Sequence, residues 1–209
     1  MLKKRTFILL SILLMLAPPS LFSLSFSYNK ELSTVSDVTL GLTALAPSLF
    51  VLAAPPSDYL AIGGSYAGTM VVAYATRSVL KHTIERARPY VGEIVDRPSD
   101  TSEDYESFPS GHALMAFSAA AYTQTLQALW YPDSAAMKAV SYATWGLAAT
   151  TAALRVFSGN HHLGDVLAGA AIGSAIGFLG PYLTNRLLRH DEHAPQILIG
   201  PTVGMQVSL

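Results

Sequence analysis

Five apolar stretches, Val38 to Ala54, Tyr59 to Leu80, Ala113 to Tyr131, Ala136 to Leu154 and Gly164 to Leu188, divide this chain into segments of similar length. Each has about the 17 to 25 residues that a tilted helix needs to cross the hydrocarbon of a bilayer. None carries an internal Asp, Glu or Lys except near its ends. A sixth apolar run, Thr6 to Ala17, follows Lys3, Lys4 and Arg5. It reads either as a cleaved secretory signal or as an uncleaved first span. Charged residues are 13% of the chain and apolar residues 51%, about half the charge share of an ordinary soluble domain. The expected fold is all-α, a membrane-embedded helical bundle of about six spans, five if the N-terminal segment is removed. A soluble bundle with helices buried nearly all round is the competing reading. Three segments follow: 1–27 as signal or first span, 28–190 as the bundle, and 191–209 as a polar tail.

Charge sets the orientation. With Lys3 to Arg5 inside and six crossings, the C-terminal cations Arg186, Arg189 and His190 also fall inside, as the positive-inside rule expects. The polar segment from Lys81 to His112 and the stretch Arg155 to Asp165 then share the outer side. The protein is expected in the inner membrane with this side facing the periplasm or exterior. Net charge is −1, so no basic field attracts nucleic acid, and the absence of cysteine excludes disulfides. Gly169, Gly173 and Gly177 recur every four residues, a spacing that suits close helix packing rather than a phosphate loop. Gln124 and Gln127 are expected to face other helices. The acidic run Glu93, Asp96, Asp100, Glu103, Asp104 and Glu106 reads as a solvated loop, the other reading being a lid that discriminates substrates or recruits a divalent cation. Alternation at Val203, Met205, Val207 and Leu209 gives a weak strand signal in the tail.

Three polar clusters interrupt the apolar pattern. Lys81 and Arg88 are seven residues apart, two helical turns, and would project from one face before Pro89 turns the chain. By themselves they could anchor lipid headgroups. Pro109-Ser110-Gly111-His112 opens an apolar run, with Ser110 as N-cap, and a helix N-terminus suits an anion. Arg155 closes the next apolar stretch, and Gly159-Asn160 can turn the chain with Asn160 capping the helix that follows. His161 would then lie in its first turn with Asp165 at i+4, close enough to fix the imidazole tautomer. His162 points about a hundred degrees away and is read as a bystander. Together, Lys81, Arg88 and Arg155 with two helix N-termini and two histidines make a cradle for a dianion, phosphate above all. Three cations there disfavour a divalent ion, so no metal site and no cofactor is expected.

These motifs resemble those of the type 2 phosphatidic acid phosphatase and vanadium haloperoxidase superfamily, whose pattern is Lys-x6-Arg-Pro, Pro-Ser-Gly-His and Ser-Arg-x5-His-x3-Asp. Lys81 to Pro89, Pro109 to His112, and Arg155, His161 and Asp165 match it in order over roughly Val38 to Leu188, with Leu154 replacing the usual serine. The resemblance implies metal-independent phosphoryl transfer. His161 would be the nucleophile that becomes phosphohistidine, oriented by Asp165, and His112 would protonate the leaving oxygen and then activate water. Lys81, Arg88, Ser110, Gly111 and Arg155 would hold the phosphoryl oxygens. The expected substrate is a lipid phosphate at the outer leaflet, with phosphatidic acid, phosphatidylglycerol phosphate, undecaprenyl diphosphate and lipid A phosphate all compatible. A soluble periplasmic acid phosphatase is the alternative. Haloperoxidase chemistry and a non-enzymatic lipid-binding protein are weaker ones, and oligomeric state is not read.

Overall fold

Helix starts follow the capping residues. The computed structural model describes residues 22–93, 97–188, 196–199 and 203–206, so Lys3 to Arg5, the run Thr6 to Ala17, Asp96, Arg189 and His190 lie outside the described residues. Asn29 caps α1 (Lys30–Leu45) by accepting from the Leu32 amide at 2.9 Å. Ala46 and Pro47 separate α1 from the short α2 (Ser48–Ala53), because proline has no N–H to continue the ladder. The stretch Val38 to Ala54 is therefore two helices rather than one. A 3-10 turn, Pro56–Asp58, leads into α3 (Tyr59–Ile84). Ser110 caps α4 (Gly111–Trp130) and Ser134 caps α5 (Ala135–Phe157). Next comes α6 (Leu163–Leu188), and the tail forms an antiparallel hairpin of β1 (Gln196–Ile199) and β2 (Val203–Gln206).

Helix α4 is the axis of the bundle. It packs most extensively on α6, then on α5, and also touches α1 and α3, while α1 lies along α5 and α3 along α6. Its side chains are small: Ala113, Ala116, Ser118, Ala119, Ala120 and Thr123 are all fully buried. The predicted glycine stripe of α6 faces it. A Cβ at Gly169, Gly173 or Gly177 would collide with the carbonyl oxygens of Ser110, Leu114 and Ser118, three residues one turn apart on α4. Gln127 turns inward and donates to the Tyr131 carbonyl at 3.1 Å, while Gln124 stays exposed.

The interior holds many small polar residues beside a few large ones such as Phe50, Ile62, Leu114, Tyr122 and Leu126. Ser36, Thr43, Ser118, Thr123, Thr144 and Thr151 are buried, and most of their hydroxyls bond carbonyls of their own helix. Meanwhile Leu42, Leu45, Leu52, Leu60, Val71, Val79, Tyr142, Phe178, Leu183 and Leu187 point outward. A core rich in small polar residues under an exterior of large aliphatic ones is the distribution of a bundle solvated by lipid. Two described segments, Lys30–Ala53 and Leu163–Leu187, have both the length and the hydropathy to cross a membrane. Washing membranes with alkaline carbonate should accordingly leave the protein in the pellet. Its recovery in the supernatant would support the soluble bundle instead.

Candidate active site

The polar residues singled out in the sequence converge at one end of the bundle, beyond the apolar stretches. Lys81 sits in the last turn of α3, whose C-cap Glu85 has a left-handed φ of 41°. The chain then leaves the helix with Arg86 and Arg88. Ser110, Gly111 and His112 start α4, Arg155 lies in the last turn of α5, and Asp165 lies in the first turn of α6. Helix ends of alternating polarity meet here, with first-turn N–H groups that lack intrahelical acceptors.

His161 is buried, at 1% exposure. Gly159, with φ of 68°, turns the chain after α5, and the His161 amide donates back to the Arg155 carbonyl at 3.1 Å. The ring nitrogen Nδ1 lies 2.8 Å from the Ser107 carbonyl oxygen. A carbonyl oxygen only accepts, so Nδ1 carries the proton and Nε2 holds the lone pair of the neutral ring. Burial first, and then the positive charges of Arg88, Arg155 and Lys81, hold its basicity well below the ordinary histidine range. The ring is neutral at neutral pH.

Asp165 was expected to orient His161 directly across one helical turn. In the structure His161 precedes the helix, and its Nδ1 is 3.9 Å from Asp165 Oδ2, too long for a hydrogen bond. The fully buried carboxylate is instead satisfied by three other groups. Arg86 Nη1 donates to Oδ1 at 2.6 Å, and the Ser107 hydroxyl and the His162 amide donate to Oδ2 at 2.6 and 2.9 Å. The Asp165 carbonyl also accepts from the Ser110 amide at 3.0 Å. Asp165 thus ties α6 to the loop that carries the Ser107 carbonyl and to the start of α4. His162, read as a bystander, also places its ring Nδ1 3.2 Å from the same carboxylate.

The cations are buried and paired. Arg88 donates to the Asn160 side-chain oxygen at 3.4 Å, to the Glu103 carbonyl at 3.0 Å and to the Glu103 carboxylate. Asn160 therefore reaches Arg88 rather than capping α6. Lys81 Nζ is 3.6 Å from Glu106, and Arg77, one turn earlier on α3, is 3.9 Å from Glu103. The acidic loop is thus drawn onto the cations at Glu103 and Glu106. Arg155 Nη1 donates to Ser33 and Ser36 at 3.1 and 3.0 Å and lies 3.6 Å from Asp37, all on α1. Its buried Nε has no acceptor.

His112 Nε2 is 2.7 Å from Asp37 Oδ1. Arg88, His112, Arg155, Asn160, Asp37 and Glu103 are among the walls of a polar cavity of about 280 Å³. A larger hollow of about 420 Å³ between α4, α5 and α6 is apolar and lined by residues such as Ala121, Trp145 and Phe178, with no cation or histidine in its wall. Among the described residues no group of three or more His, Asp and Glu side chains is arranged to hold a metal ion. The sequence reading missed Arg77, Arg86, Ser107 and Asp37. Only Arg86 lay within a cluster already singled out.

A family model described as the PAP2 superfamily matches residues 62–189. Among solved structures, a transmembrane PAP2 type phosphatidylglycerolphosphate phosphatase from Bacillus subtilis is similar, with 25% identity and a TM-score of 0.51, over 75% of this chain and 80% of that one. No curated protein matches the chain.

Proposed function

This chain belongs to the PAP2 superfamily, and on that premise we propose that it is a membrane phosphatase that removes phosphate from a lipid phosphate through a phosphohistidine. The observation that carries the reading is the bond from His161 Nδ1–H to the Ser107 carbonyl. It leaves Nε2 unprotonated, and so nucleophilic, within reach of the fixed positive charges of Arg88, Arg155 and Lys81. Nε2 attacks phosphorus, the bond to the leaving oxygen breaks, and His112 supplies that oxygen with a proton. A water then gives His112 a proton as it attacks phosphorus, the P–N bond breaks, and inorganic phosphate leaves. Lys81, Arg88 and Arg155, the Arg155 Nε–H, Ser110 and the first-turn amides at Gly111 balance charge on the three equatorial oxygens. Asp165 holds the Ser107 loop and so sets the position of the nucleophile at one remove.

A lipid substrate is supported by the aliphatic exterior and by the place of the cavity at the helix ends, where a headgroup lies. The site end of α6 carries Asp165 and the opposite end carries Arg186. The outward-facing reading in the inner membrane rests on the cations flanking the first and last apolar runs, Lys3 to Arg5 and Arg186 with Arg189. The site's own Lys81, Arg88 and Arg155 are buried and do not count as loop charges. The assay is phosphate release by detergent-purified protein from phosphatidic acid, phosphatidylglycerol phosphate, undecaprenyl diphosphate, lipid A phosphate and p-nitrophenyl phosphate. Release from at least one lipid, unchanged by EDTA and blocked by vanadate, is expected. Inertness toward the whole panel would reject the proposal.

The pH profile gives a separate check. Burial, followed by the charge of Arg155, lowers the His112 pKa to about 4, and only Asp37 opposes this. A bound phosphoryl dianion favours the charged ring and restores its proton. The activity that needs protonated His112 is lost as pH rises through its pKa, and this limb should lie at higher pH in kcat than in kcat/KM. The acid limb, from protonation of His161, falls below pH 6.5. Coincident alkaline limbs in the two profiles would contradict the assignment of His112.

A further inference from the structure

Helix α1 lies ahead of the matched region, residues 62–189, yet it delivers a carboxylate into the site. Asp37 Oδ1 is 2.7 Å from His112 Nε2 and 3.6 Å from Arg155 Nη1, and it lines the same cavity as both. The contact is held from behind. Ser33, one turn before it, and Ser36, its immediate neighbour, accept from the Arg155 guanidinium, and Thr39 Oγ1 accepts from Thr151 on α5 at 2.8 Å. Helix α1 is thereby fastened to α5 on both sides of Asp37.

We propose that Asp37 is a positioning residue that fixes His112 with its proton on Nε2, so that Nδ1 is the nitrogen that works on the leaving oxygen. This rests on the phosphatase reading above and adds a residue to it. An ionised carboxylate only accepts, so the 2.7 Å contact requires Nε2–H. In the imidazolium the second proton is then on Nδ1. That proton passes to the leaving oxygen as the P–O bond breaks, and the ring becomes the neutral Nε2–H tautomer, still bonded to Asp37. The free Nδ1 lone pair next accepts a proton from water, whose oxygen bonds phosphorus as the P–N bond to His161 opens. Through both steps the Nε2 proton stays where it is.

The carboxylate also offsets its surroundings. Arg155 from α5 and Arg88 from the segment before α4 both disfavour a charged His112, and His161 is near enough to interact with it. Glu103, Asp100 and Tyr90 from the acidic segment and Tyr28 ahead of α1 complete the titratable walls of the cavity. Among these only Asp37 bonds the ring.

The test compares Asp37→Asn with the wild-type full chain in detergent, using an alkyl phosphate lipid and p-nitrophenyl phosphate. An aryl leaving group departs without a proton and an alkyl one does not. The kcat/KM for the lipid is expected to fall about 100-fold, within the range of general acid catalysis. For the aryl ester it should change only a few-fold, and the alkaline limb should move to lower pH. Equal losses on both substrates with an unmoved limb, or no loss, would overturn the proposal by reducing Asp37 to a structural contact or to none. Nitrogen-15 NMR of the histidines reads the tautomer without turnover. Protonated Nε2 on His112 in the wild type, lost in Asp37→Ala, is expected, and protonated Nδ1 in the wild-type neutral ring overturns it. A correct tautomer in a protein inert toward both esters would sink the phosphatase reading alone.

Discussion

Replacing His161 with asparagine is expected to remove phosphate release from every substrate, by at least about 1,000-fold, while the protein folds normally. Asparagine is the informative substitution because its amide N–H can still donate to the Ser107 carbonyl, which His161 Nδ1 now engages at 2.8 Å. Alanine would strip that buried carbonyl of its partner and mix a stability loss with a chemical one. A second variant, His112→Ala, separates the two histidines. On the proposed mechanism it lacks the proton donor for an alkyl leaving group, but p-nitrophenyl phosphate needs none, so His161 should still be phosphorylated and the adduct then hydrolyse slowly. Phosphate labelled at phosphorus should accumulate on His112→Ala as an acid-labile, alkali-stable adduct and be absent from His161→Asn. Full activity in His161→Asn, or label retained on it, would eliminate His161 as the nucleophile.

Why the sequence displayed His161 and not its true partner is a matter of range. Lys81 and Arg88, Ser110 and His112, and His161 and Asp165 are local pairs, but only Ser110 and His112 share one helix end: α3 stops at Ile84, so Arg88 lies beyond it, and His161 precedes α6. The ends of α3, α4, α5 and α6 were legible to within about four residues, helped by local signals such as Ser110 and Gly159. What failed was an assumption of continuous helix. The turn at Gly159 places His161 before α6, and the His162 amide takes the Asp165 carboxylate that the i+4 rule had assigned to His161. Ser107 supplies a backbone carbonyl, which no side-chain pattern can advertise. Asp37 sits 75 residues from His112 at the start of an apolar stretch, and a lone carboxylate there reads as a helix-end charge. Tertiary contacts of that range leave no periodicity behind. Pro47 is the opposite case: a local breaker, visible in the chain, that divides a stretch read by its hydropathy as one span.

The second large effect is mechanical and begins at Gly173. A Cβ there would collide with the Leu114 carbonyl oxygen and also lie near the Leu114 backbone carbons, at 3.0 and 3.1 Å. Backbone inside a helix cannot rotate aside as a side-chain tip can, so α4 and α6 must separate. These two helices make the most extensive contact of the bundle. They also carry opposite halves of the site: Ser110 and His112 stand on α4, Asp165 stands on α6, and the Ser110 amide bonds the Asp165 carbonyl at 3.0 Å. Gly173→Leu should therefore cost about 3 kcal/mol of stability, the upper range for overpacking, and lower activity more than any loss of folded protein explains. The control is Gly146→Ala on α5, where an added Cβ meets nothing within 4 Å. That change removes a flexible residue from a helix interior and should raise stability by up to about 1 kcal/mol with activity unchanged. Thermal unfolding in detergent, read beside kcat per folded molecule, compares the two. If Gly173→Leu melts with the wild type, the glycine stripe is not what holds α6 against α4, and the alignment of nucleophile and acid must have another source.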